Sequence, residues 1–406
     1  MAKTKPSWPR VTGPLAQYAA GFCAELTRLG YTPLTAAAQL RLVAHLSRWL
    51  AAQGLDASAL TPSTAEAYFA ARRSAGYANE RTLRALGPLL DYLRRVGAAP
   101  TEVAAIPASA TEELLARYRR YLVLERGLAA TTADLNVRLV RPFLLERVGQ
   151  QQSRGDLEGL TARDVAGFVV RQSAQQPRSV KRVVSALRSL LGFLYLEEAI
   201  DRPLAEAVPS PPGWTLAGLP KALSESQVAA LLASCDRASA TGRRDLAILT
   251  VLARLGLRAG EVAALTLEDI DWRGGELVVR GKGNRLARLP LPGDVGMRIV
   301  DYLRDGRPST TGSRTVFVGA QAPYRALSST GITTVVAFAG RRAGLGTIGA
   351  HRLRHSAATA MLRAGGSLRE IGDVLRHRRA LTTALYAKVD LEALRTLARP
   401  WPAEPR

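Results

Sequence analysis

The sequence predicts a multidomain, mainly α-helical protein with one small β-sheet in its C-terminal part. Three observations predict it. Across residues 15–200, apolar residues recur at three- and four-residue spacing, the period of helices that bury one face. Strand-like patterning is confined to "GELVVRGKGNRLARLPLP", where Glu276 to Arg280 and Arg285 to Leu291 read as two strands around a Gly-Lys-Gly-Asn turn. The length, 406 residues, is enough for two to four domains with buried cores.

The first two hundred residues look like one unit written twice. "RLV" at 41–43 recurs at 138–140, "LTPSTAEAYFAAR" from Leu60 parallels "LTARDVAGFVVR" from Leu160, and "ALGPLLDYL" from Ala85 parallels "ALRSLLGFL" from Ala186. The offsets are 97, 100 and 101, a drift that small loop insertions would produce. Repetition at this period suggests a duplicated small helical domain, the alternative being chance likeness between amphipathic helices. The second copy gives way to "DRPLAEAVPSPPGWTLAGLPKALS", where Pro203, Pro209, Pro211, Pro212 and Pro220 read as an extended linker. A mixed domain begins near Ser224, helices first, then the two strands, then helices that include one starting near His351.

Fifty-six basic residues against 34 acidic ones leave a formal net charge of +22. Such a surplus predicts a polyanionic partner, nucleic acid before a membrane surface, because the charge is spread through folded-looking segments rather than a polybasic tail. Cys23 and Cys235 lie far apart and form neither a disulfide framework nor a CxxC pair, which fits a reducing cytoplasm. The N-terminal stretch lacks the apolar core of a signal peptide, and no run is long enough to span a membrane.

Two of the four histidines fall in "HRLRHS". On a helix, His351, Arg354 and His355 stand at i, i+3 and i+4 on one face. Zinc is the obvious ligand for such a histidine pair, but neighbouring arginines would repel a metal. Arginine beside histidine suits a phosphate instead, with the guanidinium fork on two oxygens and imidazole trading a proton. Downstream, His377 precedes Tyr386 by nine residues. Tyr386 reads either as a packing residue or as a nucleophile beside a phosphate. Upstream, Arg258 stands near the end of an apolar helix, where a buried arginine needs an anionic partner, and Glu261 could supply it. Lys282, one of six lysines among fifty arginines, sits at the tip of the strand turn, as a solvated turn residue or one that reaches a ligand.

In this order the segments resemble the tyrosine recombinases of the phage integrase family. That signature is an arginine in "GLR-x-x-E" (Arg258 with Glu261), a lysine in "GKG" (Lys282), "H-x-x-R-H" (His351, Arg354, His355), a late histidine (His377) and a tyrosine nine residues on (Tyr386). It covers about the last 180 residues, and "LLARYRRYLVLERGLAATTADLNVRLV" resembles the family's core-binding domain. The resemblance implies a helical SAM-like DNA-binding domain ahead of a tyrosine-recombinase catalytic domain, and the repeat predicts a second such domain before it. The expected division is residues 1–105, an additional helical domain duplicating the core-binding one; 106–205, the core-binding domain; 206–223, the linker; and 224–406, the catalytic domain with its tail.

It also implies a chemistry. Tyr386 would attack a DNA phosphodiester to give a 3′-phosphotyrosine. Arg258 and Arg354 would hold the non-bridging oxygens, His351 would move the proton on the nucleophile side, Lys282 would protonate the leaving 5′-oxygen, and His377 would donate to the phosphate. Glu261 and His355 would support. No metal or cofactor is implied. The expected partner is double-stranded DNA bound by a homotetramer on paired sites, with other recombinases as further partners and no membrane. The expected place is the cytoplasm, on the nucleoid. The expected role is integration, excision or transposition of a mobile element. The rivals are Xer-type chromosome dimer resolution, a one-strand topoisomerase, and an accessory protein that occupies recombination sites without cutting. Two departures from the family pattern stand out. Arg376 replaces the glycine usual before the late histidine, adding a phosphate contact or loosening the turn. The chain also has an extra helical unit. Leu391, Leu394 and Leu397 line one side of a tail helix that docks on a neighbouring subunit or on its own domain.

Overall fold

The computed structural model describes residues 8–77, 82–100, 109–148, 157, 159–177, 179–210, 222–281 and 285–376. The chain divides into two compact units, Met1–Thr101 together with Leu216–Arg406, and Glu102–Thr215. Residues 211–221 of the proline-rich segment and the tail with Leu391, Leu394 and Leu397 lie outside the described residues.

The first bundle is made of α1 (Ala19–Arg28), α2 (Pro33–Ala52), α3 (Pro62–Ser74) and α4 (Leu83–Arg95). Thr32 and Thr61 cap α2 and α3, each accepting from the N–H three residues on, and a proline follows each cap at the first helical position. Its core holds Phe22, Leu26, Val43, Leu46, Tyr68, Phe69, Leu86, Leu89 and Leu93.

The second bundle repeats this plan in α5 (Ala110–Leu124), α6 (Ala130–Val148), α7 (Ala162–Gln175) and α8 (Val180–Leu196). Buried positions follow the offsets read from the sequence. Val43 and Leu46 answer to Val140 and Phe143, Ala65 and Phe69 to Val165 and Val169, and Leu86, Leu89 and Leu93 to Leu187, Leu190 and Leu194. Even the stop signal recurs. After α4 the chain turns through Gly97 at φ 72° and Ala98 N–H bonds the Leu93 carbonyl; after α8 it turns through Glu198 at φ 54° and Ala199 N–H bonds the Leu194 carbonyl.

The C-terminal part holds α9 (Glu225–Ala233), α10 (Ala240–Leu255), α11 (Ala259–Ala264), β1 (Ile270–Asp271), β2 (Glu276–Arg280), β3 (Leu286–Pro290), α12 (Gly293–Asp305), α13 (Ser329–Arg342), α14 (Ala350–Arg363) and α15 (Leu368–Val374). The strands form one antiparallel sheet in the order β1-β2-β3, with Val278 opposite Arg288. Leu277, Val279 and Leu289 turn into the core, which α10 anchors with Ile248, Leu249, Val251 and Leu252. The mainly helical fold with a small sheet is thus the one the sequence predicts, and the β2–β3 hairpin falls within a residue of its expected ends. Among the described residues, no helix is long and apolar enough to cross a membrane.

Candidate active site

Local rules at the end of α10 set the site. The helix stops at Gly256, whose φ of 58° is left-handed. A Cβ there would stand 2.6 Å from Leu375 Cδ2, so glycine both turns the chain and admits the end of α15. Leu257 then drops into the core, and Arg258 emerges just ahead of α11. Its backbone N–H donates to Glu261 Oε2 at 2.8 Å and its Nη1 donates to Glu261 Oε1 at 2.6 Å. A glutamate at the third helical position is a natural acceptor for an orphan N–H. Here the same carboxylate also aims the guanidinium.

This corrects one expectation. Arg258 does stand near the end of the apolar helix, but its side chain is 37% exposed, whereas that of Glu261 is only 5% exposed. Of the two arginines, Arg354 is the buried one, at 2%. From the middle of α14 its Nη1 donates to the Gly256 carbonyl at 2.6 Å, and its Nη2 donates to the Leu375 carbonyl. Both acceptors sit at helix C-termini, where unpaired carbonyls carry partial negative charge. The ends of α10 and α15 therefore compensate a cation that would otherwise be costly to bury.

Arg376 completes the arrangement. Its φ of 55° explains why a glycine would suit this position, since a side chain there costs about 1–2 kcal/mol. Its Nη2 donates to Glu261 Oε2 at 2.7 Å. One carboxylate thus ties Arg258 to the residue that follows Leu375, and Leu375 in turn holds Arg354. Burial opposes the charge on Glu261, but the Arg258 N–H and the Arg376 and Arg258 guanidinium groups outweigh it and hold its pKa below the ordinary 4.5.

The helix expected to start near His351 is α14, and it sets His351, Arg354 and His355 on adjacent turns. The two imidazoles meet edge to face, with centroids 5.1 Å apart. Packing on its inner side, then Arg354 and Arg258, press the pKa of His351 below 6.5; packing, His351 and Arg354 do the same for His355. Both rings are therefore neutral near pH 7. A neutral imidazole between two guanidinium groups can take a proton, while those cations oppose a metal ion. Lys282, His377 and Tyr386 lie outside the described residues. The hairpin itself closes with Gly281 N–H on the Arg285 carbonyl at 2.8 Å. Two contributors escaped the sequence reading: the Gly256 carbonyl and Arg376 as a partner of Glu261. The glycine in "RLGLRAGE" was the signal for the first.

One arginine held by a carboxylate and one held by helix-end carbonyls, beside neutral histidines on a helical domain with a small sheet, have the chemistry that suits a phosphate ester. The comparisons give the family. The phage integrase family profile matches residues 221–392, and the N-terminal SAM-like domain of phage integrases matches residues 115–198. Over 97% of its length the chain is 41% identical to the integrase/recombinase y4rA of Sinorhizobium fredii, covering 96% of that protein. Over 69% it is 32% identical to the tyrosine recombinase XerC of Shewanella amazonensis, covering 92% of it. The XerH site-specific recombinase, solved bound to difH substrate, shares the fold with a TM-score of 0.53 and 18% identity, over 74% of this chain and 98% of that one. The chain belongs to the phage integrase family and is an enzyme of the tyrosine-recombinase class.

Proposed function

We propose that this protein cuts and rejoins double-stranded DNA at paired sites through a 3′-phosphotyrosine intermediate, serving the movement of a mobile element. The observation that supports the reading is that Arg258, held by Glu261, and Arg354, held by the Gly256 and Leu375 carbonyls, both lie near enough to His351 to lower its pKa. In this mechanism Tyr386 attacks the scissile phosphorus, and His351 takes the phenolic proton. Arg258 and Arg354 hold the non-bridging oxygens and stabilise the charge that builds as phosphorus becomes pentacoordinate. Lys282 hands its proton to the departing 5′-oxygen, and His377 donates a hydrogen bond to the phosphate. Glu261 orients Arg258, and His355 supports His351. The phosphotyrosine conserves the bond energy, so religation needs no ATP and no metal.

Residues 1–105 and 106–205 act as paired helical domains, 206–223 as the linker, and 224–406 as the catalytic domain. Four copies assemble on two DNA sites, and the working place is the nucleoid. The net charge of +22 supports a DNA partner. The test is recovery of covalent protein–DNA adducts under denaturing conditions from cells expressing the wild type or Tyr386→Phe. Adducts that require Tyr386 and cluster at one sequence are expected. Native enrichment of the same DNA by both proteins, with adducts from neither, would replace this reading with a non-cutting binder.

A further inference from the structure

The sheet carries a side-chain tie outside the catalytic set. Asp269, the residue before β1, has a side chain only 4% exposed, yet its Oδ2 serves three donors. Thr266 N–H donates to it at 2.9 Å, Thr266 Oγ1 at 2.7 Å and Arg280 Nη1 at 2.5 Å. Burial opposes the charge on Asp269, but the Thr266 hydroxyl and N–H and the Arg280 guanidinium outweigh it and hold its pKa below the ordinary 3.8. The two Thr266 bonds close a capping box over the short turn Leu267–Asp269. That local role accounts for the carboxylate, but not for Arg280.

Sheet topology shows what the arginine adds. β1 pairs with β2 only at Ile270–Leu277 and Asp271–Glu276. From Val278 to Arg280, β2 has β3 on one side and, among the described residues, no strand on the other. A two-stranded ribbon is marginally stable by itself. β1 runs antiparallel to β2, so the residue before it lies alongside the unflanked half. Asp269 stands there and catches Arg280, the last residue of β2, on the face opposite Leu277 and Val279. The same hairpin has a second pair, Arg288 with Glu276 at 3.0 Å, whose side chains are 74% and 40% exposed. Of the two pairs, that of Asp269 alone has a buried anchor.

The anchor is continuous with the element that sets Arg258. Leu265, at the end of α11, is buried, its carbonyl accepts from Val316 N–H at 2.8 Å, and Leu267 N–H donates to the Arg314 carbonyl at 3.0 Å. Val262 and Leu265 share one core with Leu277 and Val279. Asp269 thus references the end of β2 to α11, whose Glu261 orients Arg258. Lys282 follows Arg280 by two residues. A reacting group displaced by about 1 Å can cost about 10²-fold in rate.

We propose that Asp269, acting through Arg280, is a positioning residue that fixes the end of β2 so that Lys282 meets the departing 5′-oxygen. The inference rests on the reading of Tyr386 as nucleophile and Lys282 as general acid. In that step the Tyr386 oxygen bonds to phosphorus and His351 takes the phenolic proton. The P–O5′ bond breaks with its electron pair on O5′, and the Lys282 ammonium gives up the proton that completes the 5′-hydroxyl. A bridging sulfur in place of O5′ leaves as a thiolate, which needs no proton, so it removes the demand on Lys282 alone.

The test uses the full chain and duplexes bearing the site recovered from Tyr386-linked adducts, with either oxygen or a bridging sulfur at the scissile 5′ position. The readout is the single-turnover rate of adduct formation. Arg280→Ala, mild for folding because Thr266 keeps its bonds to Asp269, should slow the oxygen substrate about 10–10²-fold. On the sulfur substrate the same variant should stay within about 3-fold of wild type. Asp269→Asn should show the same split, and Arg280→Lys, which keeps a cation for Asp269, should recover most of the oxygen rate. Arg288→Ala, which breaks the exposed pair of the same hairpin, should leave both rates within about 2-fold. Equal slowing of both substrates by Arg280→Ala would overturn the proposal, since it would mark a role in the fold or at the phosphate. So would an unchanged oxygen rate. Lys282→Ala checks the acid itself: slow on oxygen and near wild type on sulfur is expected. Loss of that split with wild-type adducts intact would reject the Lys282 assignment, and with it this inference, while leaving Tyr386 as nucleophile.

Discussion

Arg258 and Arg354 both lie near enough to His351 to lower its pKa, yet they are held by opposite means. Arg258 is half-exposed and rests on a carboxylate, Glu261, at 2.6 Å. Arg354 is buried and rests on the carbonyls of Gly256 and Leu375. The first is oriented by a residue on its own short helix, so its neighbourhood survives its loss. The second stitches three helices, α10, α14 and α15, and its guanidinium is part of the core. Position at the site and contribution to the fold are therefore separable for one arginine and fused for the other.

The largest expected effect tests the fused side. Arg354→Met should abolish adducts and also destabilise the fold by about 2–5 kcal/mol, because two buried carbonyls lose their donor. Urea unfolding reads the second part, and a stability loss under about 1 kcal/mol would break the contrast. Arg258→Lys tests the separable side. Its unfolding should stay within about 0.5 kcal/mol of wild type, while adduct formation drops about 10²–10³-fold because a point charge replaces a bidentate fork.

The histidines add a pH signature. Because packing and the arginines lower the pKa values of His351 and His355 from 6.5, the folded protein resists their protonation. Stability from this source is present above 6.5 and is lost as pH falls below it, since the unfolded chain then binds more protons. The acid limb of the adduct-formation rate should inflect below 6.5, and His351→Asn should remove that limb along with most of the rate. An inflection above 6.5 in the wild type would contradict the environment described.

Glu261→Gln sharpens the comparison further. Two arginines lose their anion, so stability at neutral pH should fall by about 1–3 kcal/mol. The wild-type advantage belongs to the ionised carboxylate, whose pKa is lowered from 4.5. It should be complete above 4.5 and shrink as acid protonates Glu261, so unfolding curves of the two proteins converge at low pH. The smallest effect is expected from Arg376→Gly. Relief of a left-handed φ offsets the loss of one of Glu261's two arginines, leaving net stability within about 1 kcal/mol by unfolding.

Much of this was legible in the chain because it depends on neighbours in sequence. Apolar spacing marked the helices, the Gly-Lys-Gly-Asn turn marked the β2–β3 hairpin, and the offsets of 97, 100 and 101 foretold which side chains would be buried alike in the two bundles. The face shared by His351, Arg354 and His355 follows from helical geometry alone. The motif that carries the family resemblance is likewise local in each of its parts.

Burial was not legible, and the arginines show why. Arg258 follows an apolar helix and Arg354 lies among histidines and another arginine, so local composition points to the wrong one as buried. What reverses the order is that Gly256 turns left-handed against Leu375, from a segment more than a hundred residues away in the chain. The residue types, their helical faces and their order were determined by the sequence itself. Which cation would be enclosed, and that Arg376 would share Glu261 with Arg258, was decided only by tertiary packing, because the cost of a buried charge depends on which distant carbonyls and carboxylates arrive beside it.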